Sequence, residues 1–229
     1  MANENTEIQD LSTEEITDKA TDFFESNKSI IYGLAGLVVI VIVGFYWYKF
    51  QYQAPREISA DDELFKAEQM MERDSFELAL NGRDVLGQEG SSFIGFSGII
   101  AQYSGTEAAN IAHYKAGAAL LRMDKPDLAL EYLKEYSGPS ELQAQAYSLM
   151  GDAASMQSDF SAALGYYEDA AGATDNTSLQ VYYYYKAGRL QEHQNKPAEA
   201  AKYFQKIADK DMKVAEALGV DKDLIRLAQ

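Results

Sequence analysis

Three glycines, Gly117, Gly151 and Gly188, each stand twelve residues before an alanine, Ala129, Ala163 and Ala200, and are themselves 34 and 37 residues apart. A small residue recurring at this period, answered by another in the following helix, marks stacked helix-turn-helix units. Glycine inside a helix costs about 1 kcal/mol relative to alanine, so a recurrent one implies that a paired helix approaches too closely for a side chain. Pro126 and Pro197 fall where each second helix begins, the position at which the missing N–H is harmless. Such arrays build binding surfaces rather than reaction centres.

Laid over one another, the units agree further. The first carries Tyr114, Gly117, Ala129 and Tyr132; the second Tyr147, Gly151, Phe160, Ala163, Tyr167 and Ala170; the third Tyr184, Gly188, Ala200, Tyr203 and Phe204. In these positions the chain resembles the tetratricopeptide repeat over roughly residues 110–211, with Ile207 beside Ala208 where the third unit's last alanine is expected. A degenerate unit precedes them, with Ala67, Phe76 and Ala79 in the right relation and Ala67 in place of the glycine. The resemblance implies a groove lined by outward positions of the first helices: Tyr114, Leu121 and Arg122 in the first unit, Asp152 and Met156 in the second, and Tyr182, Tyr185, Arg189 and His193 in the third. A mixed groove of aromatic anchors and arginines suits a peptide or a partner helix. Within the run Tyr182-Tyr183-Tyr184-Tyr185 four consecutive residues cover every face of a helix, so some must pack inward. Tyr184 holds the packing position.

Upstream, residues 30–48 contain no charge and are bracketed by Lys28 and Lys49. At 1.5 Å per residue nineteen residues reach about 28 Å, enough for a transmembrane helix. The stretch from Gly36 to Gly44 has no polar face, which disfavours a buried core helix, and neither a basic lead-in nor a small-x-small cleavage site supports a secretory signal. Phe45, Tyr46, Trp47, Tyr48, Phe50 and Tyr52 form an aromatic belt at one interface. Gly33, Gly36 and Gly44 miss the four-residue spacing of a helix-dimer motif. Lys19 and Lys28 on one side balance Lys49 and Arg56 on the other, so charge does not orient the span. One uncleaved anchor before a large domain suits a cytoplasmic tail, and the reversed, cytoplasm-facing adaptor is the alternative.

The net charge is −16, of which the tail 1–29 holds −6. Nucleic acid is excluded as a partner, because phosphate neutralisation needs clustered Lys and Arg that this chain lacks. The absence of cysteine removes disulfides, thiolate catalysis and Cys-zinc sites. In the tail, Ser12-Thr13-Glu14-Glu15 is a capping box, followed by Ile16, Ala20, Phe23 and Phe24 on one face, which reads as a short amphipathic helix at the membrane interface. His113 and His193 lie in different repeats, and neither has an Asp or Glu at i+4, so both read as packed or solvated side chains rather than metal ligands. Gly95-Phe96-Ser97-Gly98 misses the nucleophile-elbow spacing and belongs to a spacer helix and loops running from Gly82 to Gly105. Asp209-Lys210-Asp211 and Asp221-Lys222-Asp223 read as caps and solvated turns. No cofactor and no catalytic residue is expected.

The layout also resembles the ancillary Sec-translocon subunit family of bacterial inner membranes. The stretch Gly95-Phe96 to Ile100, then Tyr103-Ser104-Gly105-Thr106 and Ala108-Ala109-Asn110, looks like the version carried by the Bacteroidota group. That resemblance implies a periplasmic repeat domain beside the translocon, in contact with periplasmic chaperones, and no catalytic residue. The expected architecture is therefore all-α. It comprises an acidic tail (1–29), a transmembrane helix (30–48), a juxtamembrane linker (49–58), a degenerate unit and spacer (59–109), three tetratricopeptide repeats (110–211) and a C-terminal capping helix (212–229). The expected function is a membrane-anchored scaffold that binds protein partners; a hydrolase or metalloenzyme is the reading from a different class.

Overall fold

The computed structural model describes residues 13–83 and 92–227 of the 229. Contacts divide the chain into two compact units, Met1–Pro55 and Arg56–Gln229. In the first, α1 (Thr13–Trp47) is followed by a π-helix (Tyr48–Gln53). The apolar side chains from Ile30 to Val43 are exposed on every face, so this helix is long and apolar enough to cross a membrane. Ser12 of the capping box lies outside the described residues. The linker expected at 49–58 is helical instead. Rings four apart stack along it, Tyr46 on Phe50 at 6.0 Å and Tyr48 on Tyr52 at 5.3 Å, and Pro55 sits in the first turn of α2 (Ala54–Glu72), where its missing N–H is tolerated.

The second unit is a stack of helical hairpins, α5 (Glu107–Arg122) with α6 (Pro126–Glu135), α7 (Ser140–Met156) with α8 (Phe160–Gly172), and α9 (Thr177–His193) with α10 (Pro197–Lys210). Among the described residues no strand occurs, only an isolated antiparallel bridge between Arg83 and Phe93. Each first helix ends in the same turn. Asp74, Asp124, Ser158 and Asn195 take left-handed φ values of 54° to 62°. The next N–H, from Ser75, Lys125, Asp159 or Lys196, reaches back to the carbonyl of Met70, Leu120, Ala154 or Gln191 at 2.9 to 3.0 Å. This closure satisfies carbonyls that the helix end leaves free and reverses the chain within three residues.

The recurrent glycines meet the second helix, and the residue they meet lies sixteen positions on. A Cβ on Gly117, Gly151 or Gly188 would overlap the side chain of Leu133, Tyr167 or Phe204 respectively. The twelve-residue alanines Ala129, Ala163 and Ala200 are fully buried beside these contacts. Helix pairs lined by alanine and glycine come close together, and the three large side chains fill the gap that results.

The first helical hairpin obeys the same pattern once one feature is recognised. Ala67 stands seven residues before the left-handed Asp74, as Gly117 stands before Asp124. Its second helix is interrupted: α3 (Phe76–Asn81) stops at Gly82, and α4 (Gly95–Gln102) starts thirteen residues later. Gly82 and Gly95, both at positive φ, bring their backbones so close that a Cβ on Gly82 would strike the backbone of Phe93 to Gly95, and one on Gly95 that of Leu80 to Gly82. From Ala67 to Gly117 is 50 residues; taking away the thirteen from Gly82 to Ile94 leaves 37, the interval from Gly151 to Gly188. Phe96 then falls at the position of Leu133, Tyr167 and Phe204, and it is fully buried in one cluster with Ala60, Ala67, Ala79 and Ala112. Within the segment expected as a spacer, α4 is thus the rest of a second helix. Two carboxylates of α2 hold this region. Glu63 accepts the Ile94 N–H at 2.9 Å, and Glu57 accepts the Glu107 and Ala108 N–H groups at 3.1 and 3.0 Å at the start of α5.

One further expectation is corrected. The single C-terminal helix is two, α11 (Met212–Leu218) and α12 (Val220–Leu227), broken at Gly219, which caps α11 with φ 73°. In the tyrosine run Tyr184 packs against three neighbouring clusters, as expected, and the fully buried member is Tyr183, packed with Ala144, Ala170 and Ala171. The whole is an all-α chain in which an N-terminal apolar helix precedes a tetratricopeptide-type solenoid.

Candidate functional surface

Two adjoining cavities open along the first helices. The smaller, about 270 Å³, is lined by Tyr114 of α5, by Gln145, Ser148 and Asp152 of α7, and by Tyr182 and Lys186 of α9. The larger, about 570 Å³, is lined by Ser155, Phe160, Tyr167, Tyr182, Tyr185, Lys186, Arg189 and His193. Tyr182, half exposed at 52%, and Lys186 belong to both, so the two cavities form one groove with a shared wall.

Of the nine residues expected in the groove, six are brought together: Tyr114, Asp152, Tyr182, Tyr185, Arg189 and His193. Three are not. Leu121 packs into the first hydrophobic cluster, the Arg122 guanidinium lies 5.4 Å above Phe76 of the preceding hairpin, and Met156 is exposed without lining either cavity. A helix of sixteen residues turns several times, and its last turn faces the previous repeat rather than the groove.

The polar centre of the groove is Lys186, which sequence reasoning missed. Its ammonium donates to Asp152 Oδ2 at 2.7 Å and to Ser148 Oγ at 2.9 Å, and stands 5.0 Å over the ring of Tyr167 and 5.4 Å over that of Tyr182. Tyr167 donates its hydroxyl to Asp152 Oδ1 at 2.7 Å. Burial first, and then the Asp152 charge, hold the Tyr167 phenol protonated well above its ordinary range. A half-buried lysine shared between a carboxylate, a hydroxyl and two aromatic faces is fixed in place. The signal for it was present: Lys186 stands two residues before Gly188, and Asp152 one after Gly151. Lys115, two before Gly117, pairs in the same way with Glu68, one after Ala67, at 2.9 Å.

At the far end Arg189 is already occupied. It binds Glu192 at 2.7 Å and lies 3.8 Å from Asp223, while Arg226 pairs with both of these carboxylates. The His193 ring packs 5.6 Å from Phe160. His113 lies outside the groove, 6.1 Å from Tyr132; burial lowers its pKa, opposed by Glu135. Among the described residues no three His, Cys, Asp or Glu side chains gather as a metal site would require.

Among solved structures, one described as the crystal structure of MamA is similar over 70% of this chain and 89% of that chain, at 17% identity and a TM-score of 0.45. No family model matches the chain, and no curated protein does.

Proposed function

We propose that the chain is a non-catalytic, membrane-anchored scaffold that holds a segment of a partner protein in the groove between α5, α7 and α9. One observation carries this reading: two cavities share Tyr182 and Lys186, with Tyr182 exposed, the half-buried rings of Tyr114 and Tyr185 along the repeated helices, and a cation already held in position. Tyrosine and positioned cations supply much of the binding energy at protein interfaces, and a rigid helical array presents them at little ordering cost. The anchor is α1, whose exposed apolar surface calls for lipid around it. Sequence resemblance supports the finer reading, a periplasmic domain working in envelope protein export beside the Sec translocon and periplasmic chaperones.

The test places a photo-crosslinking residue at Tyr182 and, as a control, at Lys202 on the outer face of α10, in the full chain in native membranes. Defined crosslinked species from position 182 alone support the groove. Equal yield from both positions, or none from 182, moves the interface elsewhere. Topology is read separately by placing cysteine at Ser12 or Ser161, in a chain that has none, and labelling intact cells with an impermeant thiol reagent. Labelling of the Ser12 variant alone would mean the reversed, cytoplasm-facing adaptor.

A further inference from the structure

The contacts between successive repeats follow two positional rules. Counted from the small-residue position of each first helix, the residue one step after it faces the residue two steps before it in the next repeat. Glu68 meets Lys115 at 2.9 Å and Asp152 meets Lys186 at 2.6 Å. The second rule is read from one contact, in which the Tyr114 hydroxyl, three steps before its glycine, donates to Gln145, six steps before the next, at 3.1 Å. Reading the Arg189–Asp223 pair, at 3.8 Å, by the first rule assigns Ile225 to the small-residue position of a partial fifth repeat, 37 residues after Gly188. The helices α11 and α12 therefore continue the stacking register, and Lys222, Ile225 and Arg226 on them are exposed.

Applied beyond Ile225, the rules name what a next helix would meet: Arg226, one step after Ile225, and Lys222, three steps before it. The first helix of the array, α2, has no repeat in front of it among the described residues, and its answering positions, two and six steps before Ala67, are Phe65 and Asp61. All four side chains are exposed, Phe65 at 62%. Asp61 and Lys222 have no ion-pair partner among the described residues. The outer stripe of α2 reads Ile58, Asp61, Asp62, Phe65, at i, i+3, i+4 and i+7, two apolar side chains bracketing two acids. The stripe on the last helices reads Leu218, Lys222, Ile225, Arg226, two apolar side chains among two cations. Asp61 is held above its ordinary carboxylate range by partial desolvation, then by Glu57 and Asp62, so a neighbouring cation would relieve it.

We propose that these two ends bind each other across copies: α11 and α12 of one chain stack on α2 of the next in repeat register, placing Lys222 against Asp61 and Arg226 over the Phe65 ring. A second copy is the occupant because both the charges and the register match, with apolar residues flanking the charges on each side. The contact joins unlike faces and does not close on itself, so it extends into chains of molecules rather than stopping at a dimer.

The experiment uses the full chain in detergent micelles, followed by sedimentation across a concentration series at low and high salt. Concentration-dependent association that weakens with salt is expected. Asp61→Lys alone, or Lys222→Glu alone, should weaken it about tenfold or more, since like charges then meet. The two substitutions together in one chain should restore it. Helicity by circular dichroism should not change in any variant, because both side chains are exposed. Geometry is read by mixing a Phe65→Cys chain with an Arg226→Cys chain, where a 65–226 disulfide is expected. A monomer at every concentration, association indifferent to both charge reversals, or disulfides linking only like positions would overturn the proposal, the first of these leaving the end faces to a different protein.

Discussion

Replacing Gly151 with alanine tests the packing argument most directly. A new Cβ would overlap the Cε1 and Cδ1 edge of Tyr167 and lie 3.1 Å from its Cζ. The ring cannot swing aside freely, because its hydroxyl is bonded to Asp152 and Lys186 sits over its face. Alanine gains about 1 kcal/mol of helix propensity over glycine. Against this, overpacking costs about 1–3 kcal/mol, and a ring that moves away gives up a charge-assisted hydrogen bond worth about 1.5–3 kcal/mol. The steric side wins, for a net loss of about 1.5–5 kcal/mol and a fall in melting temperature of roughly 3–20 °C for a domain of this size. Gly165 is the control: it lies within α8 with no atom within 4 Å of its would-be Cβ, so Gly165→Ala should raise stability by about 1 kcal/mol. Thermal melts of both variants, followed by circular dichroism on the full chain in detergent, decide it. A Gly151→Ala protein as stable as Gly165→Ala would refute the close approach of α7 and α8.

Two further outcomes are expected. The Tyr183 hydroxyl is buried without a hydrogen-bond partner, and burial, then neighbouring Tyr114, Tyr182 and Glu141, raises its pKa to about 12. The folded state thus holds this proton more tightly than the unfolded one, so its contribution is fully present below pH 10 and is lost between about pH 10 and 12. Tyr183→Phe should therefore flatten alkaline unfolding in that window and add about 1 kcal/mol at neutral pH, and a destabilised variant in urea melts would show that the hydroxyl has a partner. Deleting residues 82–94 should join α3 directly to α4 and leave a cooperatively folding domain with its melting temperature within a few degrees of the parent. Loss of cooperative unfolding would mean that α4 does not complete the first repeat.

The repeat was legible because close helix approach admits only small residues, and small residues at fixed spacing survive as a pattern. Their partners were not, since Leu133, Tyr167 and Phe204 are three ordinary large side chains with nothing in common but position. The first repeat looks degenerate in sequence because thirteen inserted residues shift its second half out of phase, which places Phe96 in an apparent spacer. Tyr184 and Tyr183 differ by one residue, which on a helix is a rotation of about 100°, enough to exchange a half-buried ring for a buried one. Lys186 needed the pairing between repeats, visible only when Lys115 and Glu68 are aligned beside it. Leu121 and Arg122 carried the right residue types on the wrong turn of the helix.

The junction pairs also bear on how such a chain can change by duplication or recombination. Moving along the array, Glu68 pairs with Lys115, Asp152 with Lys186, and Arg189 with Asp223, while at the second junction the same two positions in the sequence hold Ala118 and Leu149. The second junction is apolar and the fourth has its charges reversed. A copied or exchanged hairpin would therefore carry the wrong mate: Lys186 placed after the Ala118 edge would lose its carboxylate at a position where its side chain is only 17% exposed. Stranding a charge there costs far more than a surface pair gains. The lysine edges of Lys115 and Lys186 can each follow either acidic edge, Glu68 or Asp152, so a copied hairpin keeps its charge paired only where it meets an edge of the matching kind.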